Sequence, residues 1–116
     1  MRPLYPPDIK RLVDAAQQRA TCPSRLVGAV LITPDGQVVT GYEGAPQGAG
    51  HCTVLGCALG LDGHCTRAVR AELNCVAYAA RRGVVTLGAR LYSSADALPE
   101  LVQAVLLNAG INYETS

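Results

Sequence analysis

The stretch "TRAVRAELNCVAYAARRG", Thr66 to Gly83, decides the fold. It is an amphipathic helix from about Val69 to Arg82 with an acidic start, Glu72, and a cation, Arg70, beside it. Gly83 supplies the residue that leaves the helix in a left-handed turn, and Arg81 and Arg82 sit near the negative end of the helix. Arg70 and Glu72 are two positions apart, so they do not share a face of a regular helix. The reading expects a structural ion pair or helix-start contacts from them rather than a new catalytic role. Cys75 falls inside the helix and is expected to pack as a small core residue.

Reading outward, residues 43 to 66 are rich in glycine and carry almost no periodicity. They are expected to form a long loop, and a loop of this length inside a small domain usually has a job. Upstream, "RLVGAVLIT" (Arg25 to Thr33) is β-branched and nearly continuous in apolar residues, like a buried strand. "PDG" at Pro34 to Gly36 signals a turn, and "QVVTGY" follows as a second strand, which makes a hairpin. Before it, "PPDIKRLVDAAQQRAT" places Ile9, Leu12, Val13 and Ala16 at helical spacing, with Asp8 expected as the N-cap after two prolines. Downstream, "GARLYSS" reads as a third strand. "LPELVQAVLLNAG" reads as a helix with Leu98, Leu101, Val102, Val105 and Leu106 inward and Gly110 as its stop. "INYE" is a short fourth strand. The order αββαβαβ implies one mixed sheet covered by helices on both faces, an α/β fold of the three-layer α/β/α sandwich type. The expected organisation is one domain over residues 1–116.

Composition bounds the function. The chain is 49% hydrophobic and 16% charged, which excludes a disordered chain. It has no Phe or Trp, so its core must be aliphatic. A net charge of +1 gives no general affinity for nucleic acid or acidic membranes. The N-terminus lacks the apolar run of a signal peptide, and no apolar run approaches a membrane span. These features predict a cytoplasmic protein whose five cysteines are thiols or metal ligands rather than disulfides. The spacing H-C-x4-C-x6-H-C over His51, Cys52, Cys57, His64 and Cys65, with Cys22 distant, suits a closed tetrahedral metal site. The alternative is a group of free loop thiols.

Three blocks carry a resemblance: "VGAVLITPDGQVVTGYEGAP", "HCTVLGCALGLDGHCTRAVRAELN" and "LYSSADALPELVQAVLLNAGI". In this order and at these separations they resemble the deoxycytidylate deaminases of the cytidine deaminase superfamily, the bacterial competence-operon type most closely. The resemblance runs from about Cys22 to Ile111 and implies the cytidine-deaminase fold. Members use H-x-E at one helix start and P-C-x-x-C at the next. The His and two Cys hold zinc, the metal acidifies a bound water, and the Glu shuttles protons as hydroxide attacks the ring. The resemblance also implies a second, structural zinc, held by Cys22, Cys52, Cys57 and either His64 or Cys65.

This sequence departs from the family pattern at every catalytic ligand. Arg70 stands where the His belongs, and a guanidinium has no free lone pair for a metal. The P-C-x-x-C position reads "ALPELVQ", which puts Pro99 and Val102, or in the neighbouring register Glu100 and Gln103, in place of the two Cys. Glu72 remains at the proton-shuttle position. Glu43 replaces the substrate-contacting Asn of "GYNG", and Arg25 matches a basic residue that could face a phosphate. The expected function is a catalytically inactive deaminase homologue without a catalytic zinc: a scaffold, regulatory or nucleotide-binding protein retaining one structural zinc. Arg70 is then expected to fill the vacated metal position and pair with Glu72, Glu43 or Glu100. The alternative is a divergent zinc-dependent or metal-free hydrolase acting on a pyrimidine nucleotide, with Glu72 as acid and base. The resemblance further implies self-association or pairing with an active homologue.

Overall fold

A computed structural model describes residues 6–20, 26–44 and 69–116. Among these lie three helices, α1 (Pro6–Gln18), α2 (Ala71–Arg82) and α3 (Glu100–Asn108). Four strands accompany them: β1 (Gly28–Ile32), β2 (Val38–Tyr42), β3 (Arg90–Ser93) and β4 (Asn112–Glu114). The sheet order is β2-β1-β3-β4. β1 pairs antiparallel with β2 and with β3, and β4 runs parallel to β3. The mixed α/β sandwich expected from the sequence is the observed fold. The metal candidates Cys22, Cys52, Cys57, His64 and Cys65 lie outside the described residues, as do Arg25 and His51.

The hairpin forms because its turn is bonded by its own side chains. Thr33 Oγ1 donates to Asp35 Oδ1, and the Gln37 backbone N–H donates to Thr33 Oγ1 at 2.8 Å. Beyond the turn, alternate residues point to opposite faces of the sheet. A Cβ on Gly28 would run into the backbone of Ala16 and Gln17 in α1. One on Gly41, paired with the next residue Ala29, would lie 2.6 Å from the Ala71 carbonyl oxygen and 2.9 Å from Cys75 Sγ in α2. The two glycines thus let a helix settle on each face, which makes the third layer. Ala29, Leu31, Val39 and Leu91 meet Ala71, Cys75, Ala79, Val102 and Leu106 in the main core. Val13 and Ala16 are buried on the α1 side.

Three expectations need correction. Asp8 is not the cap of α1: the helix already includes Pro6, so Asp8 lies in its first turn, where it pairs with Arg11 at 3.1 Å. Proline tolerates that position because its missing N–H would be unpaired anyway. α2 starts at Ala71, two residues later than expected, because Val69 is held in a bridge to Gly44. Leu101 is 73% exposed rather than inward. α3 is so apolar that periodicity could not separate its inner face from its outer one. The glycine stops hold: Gly83 has φ 69° and the Val84 N–H donates to the Ala79 carbonyl at 2.9 Å, while Gly110 has φ 75°. No helix among the described residues is long and apolar enough to cross a membrane.

Candidate functional site

The start of α2 gathers the described candidates. Arg70 occupies the N-cap position with φ −62° and ψ 145°, an extended conformation outside the helix. Its side chain therefore leaves the helical ladder and returns over the first turn. Nε and Nη2 donate to Glu72 Oε1 at 3.1 and 3.0 Å. The i, i+2 separation that forbids contact on a regular helix does not apply, because one partner is not helical. Of the three carboxylates available to Arg70, the structure brings it to Glu72. The Arg70 side chain is 15% exposed and that of Glu72 is 0% exposed, so the pair is buried. From β3, Ser93 Oγ donates to Glu72 Oε2 at 3.4 Å.

Glu43 has a different task in this geometry. It is buried just past the end of β2, and its Oε1 accepts the Ala71 N–H at 2.9 Å. Arg70 makes no side-chain cap of its own. Glu43 therefore does what an N-cap residue does, from 28 positions away, and its negative charge meets the positive end of the helix. Asn74 completes the junction by donating from Nδ2 to the Tyr42 carbonyl at 2.8 Å. Sequence reading missed both Asn74 and Ser93. The available signal was the same for each: a polar residue at a position whose periodicity demanded a buried one.

Cys75 lies deeper along the helix, fully buried, with Sγ 3.5 Å from the Ala29 carbonyl oxygen. Burial, with the negative Glu72 second, pushes its thiol well above the usual range. It packs as a core residue.

A cleft of about 560 Å³ opens beside Arg70, lined by Val27, Ser94, Asp96, Leu98 and Pro99 among others. The segment that leads into α3 borders it. Pro99 stands on the cleft wall at the N-cap of α3, Glu100 is exposed, and Val102 is in the core. Gln103 Nε2 donates to the Leu98 carbonyl at 2.7 Å. Neither register brings a thiolate or imidazole to the cleft. Of the residues in either register only Glu100 carries a donor that zinc commonly takes, and one carboxylate beside a guanidinium and an amide does not make a tetrahedral zinc centre. Among the described residues no group of three or more His, Cys, Asp or Glu is placed to hold a metal ion.

Comparison with known proteins bears on this geometry directly. Residues 8–99 match the family profile described as the cytidine and deoxycytidylate deaminase zinc-binding region. The chain is 38% identical over 74 residues to ComE operon protein 2 of Bacillus subtilis, covering 64% of this chain and 39% of that protein. It is 34% identical over 91 residues to the deoxycytidylate deaminase of Mycobacterium phage D29, covering 70% of each. Its fold superposes on the dCMP deaminase of cyanophage S-TIM5 with a TM-score of 0.73 at 18% identity, over 97% of this chain and 86% of the other. The chain spans well under half the length of the Bacillus protein. A profile match over most of the sequence, on a sheet and helices of the same arrangement, means that the chain belongs to the cytidine and deoxycytidylate deaminase family.

Proposed function

We propose that this chain is a deaminase-fold protein that does not carry out zinc-dependent deamination. In this reading it is a single domain that serves in the cytoplasm as a scaffold, regulatory or nucleotide-binding homologue. One observation carries the proposal: the Arg70 guanidinium forms a buried ion pair with Glu72 at the helix start where relatives would offer a histidine. A carboxylate bound to a permanent cation is a poor proton shuttle, because the cation favours its charged form. The lack of any Cys or His in the 98–103 segment supports the same reading. Without a metal to acidify it, water stays almost wholly undissociated, and hydroxide is scarce at neutral pH.

The second half of the proposal is a structural zinc held by Cys22, Cys52, Cys57 and either His64 or Cys65. Thiolates and imidazole are the donors that a closed tetrahedral zinc prefers. Ordering a glycine-rich loop carries a large entropy cost, which a zinc site worth about 10 kcal/mol in peptide hosts would offset. Self-association, or association with an active homologue, belongs to the same proposal. The exposed Leu101 and Leu107 on the outer face of α3 support it.

Metal analysis and an ammonia-release assay on deoxycytidylate test the two halves. The expected result is one zinc per chain and no ammonia above background. Two zincs per chain, or turnover by the unaltered protein, would overturn the proposal.

A further inference from the structure

The pair between Arg70 and Glu72 uses only one edge of the guanidinium. Nε and Nη2 both donate to Oε1, so the bond lies along the side of the group. The opposite, end-on edge retains both N–H groups of Nη1 and the second N–H of Nη2. Among the described residues nothing accepts from that edge, although the side chain is only 15% exposed. The same residue lines the 560 Å³ cleft. A nearly buried donor fork with no acceptor among the described residues calls for an acceptor from the cleft, because unpaired buried donors are costly. Ser94 offers a further donor there. Its Oγ accepts the Gly28 N–H at 3.0 Å, which leaves its own proton without an acceptor among the described residues.

From this geometry we infer that the cleft binds a small carboxylate, its two oxygens seated on the end-on fork of Arg70. The inference rests on the reading that Arg70 replaces a metal ligand at this site. Planar bidentate pairing with carboxylate or phosphate is what a guanidinium fork does best. The charges nearby decide between these two. Glu72 already neutralises Arg70, and Asp96 on the cleft wall adds a negative charge, with Glu100 in the first turn of α3 beyond it. A monoanion is tolerated there and a phosphate dianion is repelled. Val27, Leu98 and Pro99 give the carboxylate's body an apolar wall to rest on.

Benzoate, acetate, inorganic phosphate and chloride at matched ionic strength are the probes, titrated into the full chain at pH 8 while NMR follows the Arg70 Nε–H resonance. Benzoate should saturate, acetate should bind more weakly, and chloride should give no saturable shift. Arg70→Lys keeps the charge and removes the fork, so benzoate affinity read from the neighbouring Ala97 and Leu98 amides should fall by about tenfold or more. Asp96→Asn, on an exposed residue, should strengthen phosphate binding and leave benzoate nearly unchanged. Equal affinity in Arg70→Lys, a saturable chloride response, or phosphate binding tighter than benzoate would overturn the inference. Ammonia release is read separately on the same samples. Failure to bind benzoate without ammonia release sinks only the carboxylate site, whereas ammonia release sinks the reading of an inactive protein.

Discussion

Arg70 and Glu72 stabilise one another only as a pair. Removing Arg70 leaves a fully buried carboxylate without its cation, and such losses typically cost about 3–5 kcal/mol. Arg70→Ala is therefore expected to lower the denaturant midpoint sharply. Replacing both residues by apolar ones of similar volume should cost much less than the two single changes added together, because no orphan charge remains. A double-mutant cycle by urea unfolding checks both outcomes. Cys75 makes a prediction in pH. Burial raises its folded pKa above the ordinary value of 9.0, so at high pH the unfolded chain releases this proton and the folded chain keeps it. The folded state then binds more protons, and stability falls as pH rises above 9.0, by up to about 1.4 kcal/mol per pH unit. Unfolding at pH 8 and pH 10 should show this extra alkaline loss in the native protein and not in Cys75→Ala. Peptide mapping after alkylation at pH 8 should find Cys75 unmodified until the protein unfolds.

At the scale of elements, close approach matters more than propensity. α2 lies so near β2 that Gly41 has no room for a methyl group: the nearest contacts are the Ala71 carbonyl and the Cys75 backbone nitrogen, neither of which can rotate away. Gly41→Ala is expected to cost about 1–3 kcal/mol or more. Gly83→Ala is a useful contrast. Nothing lies within 4 Å of its added Cβ, so only the left-handed backbone at φ 69° opposes it, and the cost should be about 1 kcal/mol. Thermal unfolding should rank the two accordingly. The helix start depends on Glu43 in the same way that a local cap would. Glu43→Gln keeps an acceptor for the Ala71 N–H but loses the charge at the helix end, so it should be milder than Glu43→Ala. These junctions were only partly legible in the sequence. "VTGY" announced a strand with a glycine in it, but which helix would press on that glycine depended on the register β1 takes with β2.

Over the whole molecule, the layers leave an apolar outer face on α3, where Leu101 and Leu107 are each 73% exposed. Under the proposed self-association, Leu101→Glu with Leu107→Glu should shift sedimentation towards the monomer while leaving the circular dichroism unchanged. The sequence by itself determined the family, the alternation of helices and strands, the glycine stops, an arginine at position 70 and a 98–103 segment with no His or Cys. Those features are local or carried by residue identity, and no folding is needed to read them. Only the tertiary structure decided how Arg70 is used. Its extended backbone, fixed by the Val69–Gly44 bridge and the Glu43 cap, swings the guanidinium onto Glu72 and towards the cleft at Pro99. The contacts of Val69 with Gly44 and of Ala71 with Glu43, the second 28 positions apart, set that geometry, and no period or spacing in the chain encodes them.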